Sequence, residues 1–265
     1  MNHLLRGLAP ITDTGWQAIE DDAKPRLATY LAARKLVDFS GPKGWTHSAV
    51  DLGRVAAIDG ASAGVTGDQR RMLPLVELRT PFVVSRAELT DADRGAEDLD
   101  FPDLDAAAQR IAVAENVAVF HGYAAAGIAG ISERTSHSPV GLGSDASLFP
   151  ARVTEAVNRL LADGIGGPYG LAVSPDAYIQ ILETSETGDL LMEHIAGIVG
   201  GPVVRTAGLR GAVLVSMRGG DFEFVCGEDL SIGYLDHSDT DVRLYFEETF
   251  TFRVLEPDAA VVLSA

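Results

Sequence analysis

The chain is poor in most of what announces chemistry. It has one cysteine, Cys226, so neither an intramolecular disulfide nor a cysteine-rich metal motif can form. Cys226 lies in the strand-like stretch "FEFVCGEDL", where a lone thiol behaves as a small buried hydrophobe. Such sparing use fits a reducing compartment, and a cytoplasmic protein is expected. Cations are also few: 21 Lys and Arg stand against 38 Asp and Glu, a formal net charge of −17. The densest basic spots are "RK" at 34–35 and "RR" at 70–71. That argues against nucleic acid as a partner, because phosphate binding needs clustered cations. Long hydrophobic runs are missing. The most apolar stretch, "IAVAENVAVFHGYAAAGIAGI", is interrupted by Glu115, Asn116 and His121, which suits a packed helix and not a membrane span. The start, "MNHLLRGLAPITDTGW", has no signal-peptide pattern. No internal repeat or low-complexity tract is present.

What remains is a soluble globular composition, with 46% hydrophobic and 22% charged residues over a length of 265, enough for one large or two smaller domains. Helical spacing of Trp16, Ile19, Ala23, Leu27, Tyr30, Leu31 and Arg34 predicts a helix over 14–37, with Thr14 and Gln17 as a capping box. Pro25 is expected to kink or split it. Two strand-like runs over 47–86, joined by a Gly/Ser/Ala-rich link, predict a long β-arm with too little apolar surface for a core of its own. A helix is expected over 103–126, capped by Asp103. From about 130 to 220 helices and strands alternate as a compact α/β unit. "DVRLYFEETFTFRV" alternates strictly: Val242, Leu244, Phe246, Phe250, Phe252 and Val254 share one face. Glu248 falls on that same face, where an unpaired carboxylate is costly, and the sequence names no partner for it.

The motifs carry little chemistry. "GASAG" at 60–64 matches G-x-S-x-G, which would make Ser62 a hydrolase nucleophile if a strand led in and a helix led out. The next stretch, "VTGDQRRMLPL", is not helical, so the tip of a hairpin is the better reading; a serine hydrolase stays as the alternative, with Asp176, His194 and His237 downstream. "GLGSDA" at 141–146 lacks the strand–helix setting of a dinucleotide site. "DHSDTD" at 236–241 gathers Asp236, His237, Asp239 and Asp241, but turn residues between two strands explain it more simply than a cation. No metal site and no catalytic centre are expected. A long arm, a proline-bearing helix and two compact units suit a protein that associates with itself.

Six blocks carry a resemblance: "LLRGLAPITDTGW", "ARKLVDFSGPKGW", "LPLVELRTPF", "GIGGPYGLAVS", "RGGDFEFVCGEDLSIGY" and "VRLYFEETFTFRV". In order and spacing the chain resembles the encapsulin, or linocin-like, shell proteins along nearly its whole length, in the manner of actinobacterial members. The resemblance implies an α+β fold of the tailed-phage capsid, Hong Kong 97 type. It divides the chain into an N-terminal helix and arm (1–46), an extended loop (47–80), a peripheral domain with a spine helix (81–129), an axial domain (130–220) and C-terminal peripheral strands (221–265). It implies a shell that is not an enzyme. Roughly sixty or more copies would close with icosahedral symmetry. The shell would enclose a cargo enzyme, such as a dye-decolourising peroxidase or a ferritin-like protein, held by a C-terminal cargo peptide. Positions matching the docking region are Leu27, Leu31, Arg34 and Asp38, read as one helix face, with Leu230 and Ile232. Removing Arg34 and Asp38 is expected to take away no core volume, so folding should survive it. Thr184, Ser185, Glu186, Thr187 and Gly188 match the five-fold pore. Some relatives have an aromatic residue, able to stack a flavin, near "SRAEL"; Ala87 stands there, so no cofactor is expected.

Overall fold

The computed structural model describes residues 3–143, 145–183 and 188–264. Helix α1 runs from Asp13 to Tyr30, and the hydroxyl of Thr12 caps it by accepting the Gly15 N–H at 3.1 Å. The cap is therefore Thr12, not Thr14. Pro25 does not split the helix, and the end at Tyr30 comes well before the predicted 37. The stop is a side chain from elsewhere: Asn116 Oδ1 accepts the N–H groups of Ala32 and Ala33 at 3.1 and 3.0 Å, while Nδ2 donates to the carbonyls of Tyr30 and Ala207 at 2.9 and 3.2 Å. The amide is buried and uses all its donors and acceptors, as burial demands. A short 3₁₀ turn, Ala33–Lys35, comes next, then strand β1, Asp38–Ser40. Arg34 and Asp38 thus do not share a helix face.

The arm is a two-stranded hairpin, β2 (Ala49–Ile58) and β3 (Gly67–Pro74), paired antiparallel. Its strands end at Pro74. Strand β4 (Val76–Ser85) already belongs to the body, paired with β11 (Asp241–Val254). The expected loop of 47–80 is therefore shorter as a free arm. Strands β9 (Phe222–Cys226) and β10 (Ser231–His237) line the other edge of β11 in tandem, and β1 adds in parallel to β9. Helices α1, α2 (Arg86–Asp93) and α3 (Pro102–Phe120) accompany this sheet. Pro102 opens α3, which ends at Phe120 and not at 126.

A second sheet is built from β5 (Val140–Gly141), β12 (Ala260–Ser264), β8 (Ala212–Ser216), β6 (Tyr169–Val173) and β7 (Val203–Arg205) in that order. Helix α4 (Ile131–Arg134) precedes it in the chain, and α5 (Phe149–Ala162), α6 (Pro175–Glu183) and α7 (Gly188–Val199) lie among its strands in sequence. The last strand closes this sheet, so the expected peripheral segment 221–265 is divided between the two sheets.

Two hydrophobic cores meet in the molecule. One packs Trp16, Ile19 and Leu27 of α1 and Leu104 and Ile111 of α3 against Phe82, Val242, Leu244 and Phe246. The other joins Leu160, Leu171 and Leu214 around the second sheet to Phe120, Phe224, Phe250 and Phe252. The face of β11 predicted from alternation is thus buried, but it serves both cores. The handover falls between Phe246 and Phe250, and along α3 between Ile111 and Ala118.

Candidate functional site

A groove of about 260 Å³ lies between α1 and the edge strand β10. Leu27 and Ala23 form one wall, Leu230 and Ile232 the other, with Phe246 and Leu4 contributing apolar surface. Helical spacing brings Ala23 and Leu27 onto one face of α1, one turn apart. The segment before α1 closes one side of the groove: the carbonyl of Leu4 accepts the Tyr234 N–H at 2.8 Å, so it occupies part of the outer edge of β10. The rim is charged. Arg6 pairs with Glu20 at 2.7 Å and stacks on Trp16 with its guanidinium 4.0 Å from the ring centre, and Lys24 lies beside them.

Of the six residues named from the sequence, Leu27, Leu230 and Ile232 line this groove. Leu31 packs against the same core, beyond the end of α1. Asp38 is exposed at the start of β1 and accepts the Gly220 N–H at 2.6 Å. Arg34 turns inward. It donates to Glu115 at 2.6 Å, to Glu248 at 2.6 Å and to Asp229 at 2.5 Å, and its guanidinium lies 5.1 and 5.3 Å from the rings of Phe39 and Phe224. The expectation that folding survives removal of Arg34 is therefore corrected: among the described residues it is the one cation paired with the two buried carboxyls of Glu115 and Glu248. Arg34 touches the groove at one remove. Asp229 Oδ1, which it holds, also accepts the Leu230 N–H at 2.8 Å and so fixes one wall.

The electrostatics of this junction come from counting charges. One guanidinium faces three carboxyl groups. Burial pushes Glu248 well above the ordinary carboxylate range and raises Glu115 as well, with Arg34 opposing both shifts. Burial also opposes the charge of Arg34, but Glu115, Glu248 and Asp229 outweigh it and hold the guanidinium firmly protonated. Glu115 and Glu248 each keep a buried Oε1 with no hydrogen-bond partner, and the charge of Glu115 adds to the upward shift of Glu248. Two buried carboxyls that are both pushed upward favour holding one proton between them, which leaves the pair with a single negative charge. The charge of Arg34 cancels it. The remaining negative charge sits on Asp229, whose side chain is 43% exposed and so stays hydrated. Nearby, burial pushes the Cys226 thiol up to about 12, which makes it inert at neutral pH.

The opposite face of β11 hides another acid. Glu247 is fully buried, bonds Arg79 and lies 3.2 Å from His3 Nε2, while His3 stacks on Trp45 at 3.9 Å. The misplaced polar letters Glu115, Asn116 and Glu248 are the sequence signal for the first junction; Glu247 sits at an expected polar position and gives none.

Ser62 is exposed in the turn between β2 and β3, where its carbonyl accepts the Val65 N–H at 3.1 Å. The flanking glycines answer to that turn: a Cβ on Gly60 would collide with the Val65 carbonyl oxygen, and Gly64 has φ +78. A strand comes next, so the nucleophile elbow is absent. "GLGSDA" falls partly outside the described residues, at 144, and comes after only the two-residue β5. In "DHSDTD", Asp236 pairs with Arg243 at 2.9 Å and His237 bonds the Tyr234 hydroxyl at 2.5 Å. No group of residues able to hold a metal occurs among the described residues, and no helix there is long and apolar enough to cross a membrane. Of the pore candidates, residues 184–187 lie outside the described residues and Gly188 opens α7.

Comparison with known proteins agrees with this architecture. A subunit of a virus-like particle from Pyrococcus furiosus superposes with a TM-score of 0.64 over 93% of this chain and 98% of its own, at 18% identity, which shows the Hong Kong 97-type fold. A type 1 encapsulin shell protein of Rhodospirillum rubrum is 44% identical, over 99% of this chain and 96% of its own. That of Mycolicibacterium paratuberculosis is 39% identical over the full length of both. The model of the family described as "Encapsulating protein for peroxidase" matches residues 1–251. By fold and by full-length similarity, the chain belongs to the encapsulin shell-protein family.

Proposed function

We propose that copies of this chain form the wall of a closed compartment in the cytoplasm and that the groove between α1 and β10 seats the C-terminal tail of an enclosed enzyme. The observation that carries the reading is the convergence of Leu27, Leu230 and Ile232 on one apolar groove beside an edge strand. An extended peptide can place alternate apolar side chains in such a groove. Its backbone can meet the parts of the β10 edge that Leu4 leaves open. Arg34 acts through Asp229, which sets the Leu230 wall, and Asp38 steadies the turn at Gly220. The family description makes a peroxidase the first cargo to try, with a ferritin-like protein as the second. The shell has no catalytic role in this scheme. Residues 184–188 would face the five-fold opening, with a small polar rim suited to ions and small solutes.

The test is co-expression with a fluorescent protein carrying the tail of the native cargo. Leu230→Asp shells should form normally but retain about tenfold less reporter, the loss expected when an apolar contact in the groove is replaced by a charge. An unchanged reporter-to-shell ratio would move the docking site elsewhere.

A further inference from the structure

The arm carries a charge arrangement that its own chain leaves unsolved. Arg54 of β2 lies directly opposite Arg71 of β3, and Arg70 is the next paired residue, opposite Val55. Like charges directly opposite on a hairpin are destabilising. All three arginines are exposed, and none forms an ion pair among the described residues. Arg54, together with Leu52 and Leu73, lines a cleft of about 540 Å³ at the root of the arm. The body side of that cleft carries Phe252, Leu255 and Arg134. Arg134 is also exposed and has no ion pair among the described residues, whereas Arg253 nearby is held by Glu223 at 2.5 Å. Apolar side chains on the arm are left open as well: Val55 is 54% exposed and Met72 60%. A cleft with apolar walls and unpaired guanidinium groups fits an apolar segment that bears carboxylates.

The rest of this chain offers one. Three arginines and three aspartates cancel within 49–74, so the whole net charge of −17 belongs to the body. From Gly95 into the first turn of α3 the chain reads "GAEDLDFPDLD", five carboxylates and no cation, three of them before the helix begins. Glu97, Asp98 and Asp100 are exposed around the half-buried Leu99, and none of the three forms an ion pair among the described residues. We infer that the arm-root cleft of one copy takes the Glu97–Asp100 turn of a second copy, with Arg54, Arg71 and Arg134 facing its carboxylates. The pairing rests on the assembly reading and names the partner surface for the arm.

The experiment is a charge swap read by particle yield on size exclusion and negative-stain microscopy, with wild type as the reference. Wild-type shells must form, or the assembly reading itself fails. Given wild-type shells, Arg54→Glu with Arg71→Glu should lower particle yield about tenfold, as should Glu97→Arg with Asp98→Arg, because each places like charges together at every repeated contact. Combining all four changes should restore particles. Restoration supports the pairing; two reversed variants that assemble like wild type, or a combination that stays unassembled, overturns it. Should the reversed variants not fold, the neutral pair Arg54→Gln with Arg71→Gln decides. Raising salt from about 0.1 M to about 1 M shortens the screening length from about 10 Å to about 3 Å and should weaken wild-type assembly but not that of the neutral variant. An equal salt response in the two proteins overturns the inference.

Discussion

The seam between the two cores and the arm both hold charges that a simple apolar or polar pattern would forbid, and they differ in where the compensation lies. At the seam, Arg34 meets Glu115, Glu248 and Asp229 within one chain. On the arm, Arg54 and Arg71 face one another with no ion-pair partner among the described residues. The seam is where both α3 and β11 pass from one core to the other, and Leu31 and Leu36 flank Arg34 on opposite sides of the same divide. The cluster ties α3, β11 and the segment before β10 to one guanidinium at this divide. A charge satisfied internally fixes the shape of the subunit, and a charge left open points to what the subunit meets.

The largest effect should come from removing the cation at the seam. Arg34→Met strands buried carboxylates and should cost about 3–5 kcal/mol, seen as loss of soluble protein or a large fall in melting temperature. Adding Glu115→Gln and Glu248→Leu should recover much of it, because no buried charge then lacks a partner. Failure of the triple variant to recover would mean that the cluster specifies the fold as well as neutralising itself.

Asn116→Ala should come next, by about 2–4 kcal/mol, since it leaves buried backbone groups at Ala32, Ala33 and Tyr30 unpaired. The melting curve measures it. No comparable loss is expected from Arg71→Thr on the arm, which should leave the subunit's melting within about 0.5 kcal/mol of wild type.

The pH response is smaller and has a definite sign. Glu248 is raised by burial above its ordinary value of 4.5, so the folded chain binds a proton that the unfolded chain has released. That contribution is complete below about pH 4.5 and is lost as pH rises towards the folded value, by at most about 1.4 kcal/mol per pH unit for one proton. Glu248→Gln keeps a neutral hydrogen-bonding group and should flatten this part of the stability profile above about pH 4.5. An identical slope in variant and wild type would place the proton elsewhere. The smallest effect belongs to Ser62→Ala, which should leave assembly unchanged, and a serine-reactive probe should not label the wild-type arm.

Much of this is legible in the residues, for reasons that can be named. Alternation along 242–254 identifies the long central strand, because a period of two survives burial on either face. The arm is legible because its runs have no room for a core. The end of α1 is not, since Asn116, far away in sequence, ends it; helical spacing through Arg34 says nothing about a distant amide. The docking residues divide on the same ground. Leu27, Leu230 and Ile232 reach the groove because local periodicity places them, whereas Arg34 and Asp38 are neighbours only on a helix that has already stopped. Glu248 stands out in the sequence as a misfit without a partner, and the structure supplies that partner as Arg34.

The margins of the sheets have a consequence for a chain made in many copies at once. Open strand edges invite uncontrolled pairing with other chains. Here β1 and β7 have three residues each and β5 two, Pro81 interrupts the donor row of β4, and Leu4 covers β10 at Tyr234. Strands β2 and β3 form a two-stranded sheet, so each keeps a long margin without a strand neighbour among the described residues, and Arg54, Arg70 and Arg71 stand exposed there. Short strands, a proline and charged side chains at the margins are the devices by which a sheet edge avoids pairing with another chain, and a subunit made in many copies at once has the most use for them.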